Sequence, residues 1–230
     1  MNKSAKIISV FMYAFSLILL LAYVILDVRV GLEPYTRLII LIASSALIYF
    51  SGILLSKTVL KERSEKLMKV TFSVIFILYL MLLVTLVLFD SYFGRTGISN
   101  IPKWSREAFK EYFESSVNLI PFETISSFFA GALVKNVSLK AFAVNIMGNL
   151  AAFAPFAFFL PVLFNKMRSF KNFLIAMIII VLTAEISQMI LLTGAADIDD
   201  LILNVLGATV AFGLLKTKYI DKIIKAITHI

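Results

Sequence analysis

No cysteine occurs anywhere in the chain. That absence excludes a disulfide framework, a thiolate zinc site and a cysteine nucleophile. Histidine is almost as scarce. The single one, His229, is the penultimate residue, a position that supplies neither a general base nor a metal cage. Low-complexity runs and internal repeats are missing too, and polar clusters are few. What fills the chain is apolar: 60% of its 230 residues, with a mean hydropathy of +0.96. Soluble domains average about 45–50% apolar even counting glycine. The composition therefore reads as an integral membrane protein.

Apolar runs of about 20 residues span the hydrocarbon as helices, because the bilayer core offers no water to open backbone groups. Six such runs occur: Ile7–Leu26, Leu38–Leu55, Val70–Phe89, Ala141–Phe164, Phe173–Thr193 and Asp197–Leu215. The predicted fold class is all-α, a polytopic helical bundle with interfacial helices in the 90–140 segment. Lys3 and Lys6 ahead of the first run resemble the start of a signal peptide. Its apolar core is longer than a typical signal, however, and Leu26-Asp27-Val28 is no small-residue cleavage site. The first run is expected to be a retained span.

The formal net charge is +8. Lys and Arg lie mostly between apolar runs, so membrane orientation explains them better than nucleic-acid binding, which is not expected. With the N-terminus inside, 14 of the 22 basic residues fall on the cytoplasmic side and 8 outside. A multi-pass cell-membrane protein with both termini cytoplasmic follows. Juxtamembrane lysines also attract anionic headgroups, by about 1 kcal/mol each near the surface.

The long segment from Asp90 to Lys140 then lies outside. From Trp104 to Ile120 the residues Trp104, Ala108, Phe109, Tyr112, Phe113, Val117 and Ile120 recur at helical spacing, with charges on much of the other side. The pattern predicts a helix lying in the headgroup region or packed on the bundle. Pro121 marks a break, and Phe122 to Val134 reads as a second, more apolar helix.

Mapped on this topology, polar residues gather at one depth. Asn145 and Asn149 fall in the outer half of the fourth span, one turn apart. Glu185 and Gln188 are adjacent on the fifth. The sixth opens with Asp197, Asp199 and Asp200, and Asp200, Asn204, Gly207 and Ala211 share one stripe. A carboxylate at a helix centre costs roughly 2.5–3.5 kcal/mol on insertion scales, so three acids at a membrane threshold point to a task. Asn145, Asn149, Glu185, Gln188, Asp197, Asp199, Asp200 and Asn204 form the candidate ligand-binding set. No catalytic residue or metal ligand is assigned. Each has a structural alternative: the asparagines as interhelical hydrogen-bond glue, Gly148 and Gly207 as close-packing positions, Asp197 as a cap and its neighbours as partners of the helix dipole. Pro155 and Pro161 kink the fourth span, either opening a cleft or serving shape alone.

Four motifs in order carry a resemblance: Asn118-Leu119-Ile120-Pro121-Phe122; Asn145-Ile146-Met147-Gly148-Asn149 with Phe153, Pro155 and Leu160-Pro161; Glu185-Ile186-Ser187-Gln188; and Asp197-Ile198-Asp199-Asp200-Leu201-Ile202-Leu203-Asn204 with Leu206-Gly207. Together they resemble the VanZ-like family of bacterial membrane proteins. The resemblance divides the chain into a two-span region 1–69, a VanZ-like membrane domain 70–216 and a cytoplasmic basic tail 217–230. It implies a setting at the cell envelope and an association with low-level teicoplanin resistance. Members usually carry an Arg after a Thr-Gly pair. Here Thr193-Gly194 is followed by Ala195-Ala196, so Arg95, Lys103, Arg106 or Lys140 has to stand in. Ala157 stands where the family usually has Gly.

Three functions compete on this reading. The first is a non-enzymatic envelope factor that binds membrane lipids, a lipid-linked cell-wall precursor or a glycopeptide or lipopeptide at an outer-leaflet polar cleft. The second is an enzyme on lipid-linked precursors, with a divalent cation at the acidic cluster as its one candidate cofactor. The third is a lipid transporter or flippase, against which the lack of a repeat and the one-sided polar cluster argue. Oligomeric state is not legible.

Overall fold

A computed structural model describes residues 3–97, 100–133, 138, 142–216 and 222. Val134, Lys140, Ala141 and, apart from Lys222, the tail 217–230 with His229 lie outside the described residues. Among the described residues six helices are long and apolar enough to cross a membrane: Ser4–Val30, Pro34–Ser56, Lys61–Leu88, Val144–Leu163, Phe170–Leu191 and Ile198–Leu215. Each overlaps one of the six predicted runs, and the chain is a helical, multi-pass membrane protein. It divides into two compact units, one reaching Leu83 and the other beginning at Val84.

In the first unit α1 (Lys3–Val30) and α2 (Pro34–Ser56) form an antiparallel hairpin. Gly31 turns the chain at φ +71°, and its N–H reaches the Asp27 carbonyl at 3.0 Å. Pro34 starts α2 where a missing N–H costs nothing. The Asp27 carboxylate closes the turn by accepting from the Leu32 N–H at 3.1 Å and from Arg37 Nε at 2.8 Å. Small serines let the helices approach. Ser9 Oγ donates to the Ser51 carbonyl at 3.0 Å, Ser51 Oγ to the Ser9 carbonyl at 2.7 Å, and Ser16 Oγ to the Ser44 carbonyl at 3.3 Å. Such bonds contribute about 0.6 kcal/mol each between membrane helices. The outward faces carry Phe11, Phe15, Ile39 and Ile42, exposed as lipid contact requires.

In the second unit, α3 (Lys61–Leu88), which begins in the first, reaches its end. Asp90 then caps a short 3₁₀ turn, Ser91–Phe93. Next comes α4 (Arg106–Ser116), capped by Ser105, whose side chain accepts from the Ala108 N–H at 3.0 Å. The sequence reading runs this helix on to Ile120, but it ends at Ser116. Val117 and Asn118 instead form a two-residue strand β1, paired in parallel with β2 (Ala196–Asp197). The partner lies almost 80 positions away, beyond the reach of a periodicity argument. A turn with Pro121 at its second position and Phe122 at φ +66° then leads into α5 (Glu123–Leu133).

The fourth span is not one continuous helix. It opens as a π-helical turn, Ala143–Met147, continues as α6 (Gly148–Ala152), breaks over 153–155 and resumes as α7 (Phe156–Leu163). Pro155 has no N–H to give, and the break is bridged by tighter bonds: Ala154 N–H to Ala151, Phe156 N–H to Phe153 and Ala157 N–H to Ala154. α8 (Phe170–Leu191) buries Phe173, Met177, Val181, Glu185 and Gln188 on one face, a stripe that turns from apolar to polar along the helix. α9 (Ile198–Leu215) is the centre of the unit, against α6, α7 and α8. Phe173 and Phe212 stack with ring centroids 4.4 Å apart. Gly207 meets the Leu150 backbone so closely that any Cβ would overlap the carbonyl. Gly148 has nothing near it, so of the two glycines predicted as close-packing positions only Gly207 is one.

Candidate functional site

The three acids at the start of α9 have three different sets of partners. Asp197 is the N-cap: its side chain accepts from the Asp199 N–H at 2.8 Å, from Thr124 Oγ1 at 2.5 Å and from Asn118 Nδ2 at 3.5 Å. Its own N–H donates to Glu185 Oε2 at 3.4 Å. Asp199 is fully buried and faces the start of α5, accepting from the Phe122 N–H at 2.6 Å and the Ile125 N–H at 3.0 Å. A carboxylate satisfies such orphan amides and is favoured by the positive end of the helix dipole. It also holds Phe122 in a left-handed conformation that a side chain this size rarely adopts.

Asp200 looks elsewhere. Its Oδ1 accepts from Asn149 Nδ2, and its Oδ2 lies 3.7 Å from Arg95 Nη2. Arg95 reaches there from the loop after α3, which is tied to the α8–α9 connection by the Thr96 N–H to the Thr193 carbonyl at 2.6 Å. Gly194 leaves room for it, since a Cβ there would sit 3.0 Å from Arg95 Cδ and Nη1. Of the cations named as stand-ins for the missing Arg, Arg95 is the one on the acid. Lys103 and Arg106 are exposed on the surface, and Lys140 lies outside the described residues.

A cavity of about 380 Å³ opens at this pair, lined by Arg95, Asp200, Asn145, Asn149, Tyr92, Phe93 and Phe128 among others. Its volume falls within the usual range of small-molecule sites, roughly 300–1,000 Å³. Arg95 Nε and Asn145 Oδ1 are both fully buried with no hydrogen-bond partner among the described residues. Leaving such atoms unpaired costs roughly 1–3 kcal/mol each, which a shift of either side chain toward the cavity would relieve. The π-helical turn supplies Asn145 and α6 supplies Asn149. Local π geometry often marks functional positions.

A second cavity, of about 270 Å³, is apolar: Phe113, Leu119, Leu182, Met189 and Leu201 are among the residues that line it, together with Glu185 and Asp197. Tyr112 of α4 is buried, and burial pushes its phenol above the usual range. Gln188, Asp199 and Asn204 line neither cavity. Gln188 Nε2 donates to the Val87 carbonyl at 3.0 Å while its Oε1 and the Asn204 Oδ1 stay unpartnered. The structure thus brings Asn145, Asn149 and Asp200 to one cavity and Glu185 and Asp197 to the other. Among the described residues, no three of His, Asp or Glu are placed to hold a metal ion. Arg95, Tyr92, Phe93 and Phe128 are not in the candidate set drawn from sequence. Only Arg95 had a signal, as the cation an unpaired acidic motif requires.

Against known proteins, a family model described as VanZ/LLP1 matches residues 76–220, more than half of the chain. All four motifs fall inside that range, and the first two spans precede it. The comparisons with curated proteins and with solved structures gave no match.

Proposed function

Because the chain belongs to the VanZ/LLP1 family, we propose that it is an envelope protein of the bacterial cell membrane that binds a lipid-linked or lipid-like molecule by its headgroup. The site is the polar cavity at Arg95 and Asp200, facing the outer leaflet. Binding there lowers susceptibility to teicoplanin and to related acylated glycopeptides or lipopeptides, without chemistry on the ligand. Teicoplanin carries an acyl chain, so competition at the membrane surface is physically direct.

The observation that carries this reading is the orphaned polar wall. Arg95 from a loop, Asn145 and Asn149 from a broken helix and Asp200 from α9 surround one cavity, and among the described residues Arg95 Nε and Asn145 Oδ1 behind that wall have no partner. The outward orientation rests on the excess of Lys and Arg in the segments away from the acids.

Expression in a teicoplanin-sensitive Gram-positive host tests it. Wild-type protein raises the inhibitory concentration, whereas Asp200→Asn and Asn149→Leu, present in the membrane at equal level, return it to the host baseline. Full protection in both variants contradicts the proposal.

A further inference from the structure

We infer that the headgroup taken by the polar cavity is an uncharged, hydroxyl-bearing ring of the hexose type rather than a phosphate. The inference rests on the reading of that cavity as a headgroup site. Charge is the first argument. Among the described residues lining the cavity the charged groups are Arg95 and Asp200, one of each sign, 3.7 Å apart. A phosphate would gain Arg95 but meet the Asp200 carboxylate beside it, a like-charge contact in a poorly solvated place.

Hydrogen-bonding capacity is the second argument. Besides the ion pair, the amides of Asn145 and Asn149 line the cavity, and each carries N–H donors and a carbonyl acceptor. A hydroxyl is donor and acceptor at once, so neighbouring hydroxyls on one ring satisfy both. A phosphate diester offers acceptors only, so it can pair with the amide N–H groups but leaves their carbonyls unserved. The third argument is the aromatic lining. Tyr92, Phe93 and Phe128 give the cavity aromatic sides, against which the C–H face of a sugar ring buries apolar area that a phosphate lacks.

Native mass spectrometry of the purified full chain tests this with three lipids of matched acyl chains: monoglucosyl-diacylglycerol, phosphatidylglycerol and diacylglycerol. Wild type is expected to retain the glucolipid at least ~10-fold over phosphatidylglycerol, the difference one well-made hydrogen bond supplies. Asn145→Leu, which keeps the volume and removes the acceptor, brings glucolipid retention down toward that of diacylglycerol. Asp200→Asn frees Arg95 and shifts the preference to phosphatidylglycerol. Should that variant fail to insert, Asn145→Leu still decides. Displacement by excess free glucose assigns recognition to the ring alone, and its failure assigns it to the ring with its chains; both uphold the ring. Preference of wild type for phosphatidylglycerol overturns the sugar assignment while leaving a headgroup site in place. Equal retention of all three lipids, or of none, overturns the headgroup site as well.

Discussion

At the scale of single residues, Asp199 and Asp200 are neighbours in sequence with opposite employment. Asp199 spends both oxygens on main-chain N–H groups of Phe122 and Ile125, while Asp200 faces Arg95, Asn149 and the polar cavity. An asparagine at 199 can accept only one of those two bonds and turns its own N–H₂ on the other donor. Asp199→Asn is therefore expected to destabilise the protein by about 2–3 kcal/mol, the scale of a buried bond to a charged group. Asp200→Asn is expected to cost less, because its oxygens meet the Asn149 amide and Arg95 at 3.7 Å rather than two main-chain N–H groups, and an asparagine oxygen still accepts from one of them. Thermal unfolding in detergent checks this, and an Asp199→Asn midpoint at or above that of Asp200→Asn contradicts it. The sequence placed eight polar residues at one depth but could not sort them. The partners of Asp199 are backbone amides more than 70 positions away, which carry no residue signature. Arg95 is a lone basic residue in a loop, legible only as the answer to an acidic motif without its cation.

At the scale of elements, the apolar runs located all six spanning helices, because burial in lipid imposes a length that composition shows directly. The fourth span shows where that signal stops. Both Pro155 and Pro161 were candidate kinks, yet the helix breaks at Pro155 and runs through Pro161. The outer segment was legible as two helices around Pro121, but not the strand pairing between them. Trp104, just ahead of its first helix, and Phe109 and Phe113 on it are successive ring neighbours at 6.0 and 6.3 Å, with Trp104 and Phe113 exposed. Exposed aromatics beside the charged Lys110 and Glu114 fit a helix seated among headgroups. Trp104 is the only tryptophan, so its fluorescence reports on the entry to α4. Lipids brominated high on the acyl chain should quench it more than lipids brominated near the chain end. Strong quenching by aqueous iodide with none from either lipid would place α4 in water and refute the interfacial seat.

At the scale of the whole molecule, the family match starts at 76 and the second compact unit at 84, both inside α3. The two-span hairpin lies ahead of both. Orientation rests on charge counting and is open to direct test, because the chain has no cysteine and single introduced thiols can be labelled cleanly. Ser115→Cys in α4 should react with an impermeant maleimide on intact cells, and Lys166→Cys in the turn before α8 only after permeabilisation. The reverse pattern would put the polar cavity on the cytoplasmic side and remove the basis for protection against an external antibiotic. The central claim is that the cavity at Arg95, Asn145, Asn149 and Asp200 holds the headgroup of a lipid-like ligand. Native mass spectrometry of protein purified from expressing membranes tests it most directly, with wild type beside an Asn145→Leu/Asn149→Leu variant of equal unfolding midpoint. The account predicts a bound lipid mass on the wild type that the variant lacks, whereas the same bound masses at the same occupancy on both would contradict it.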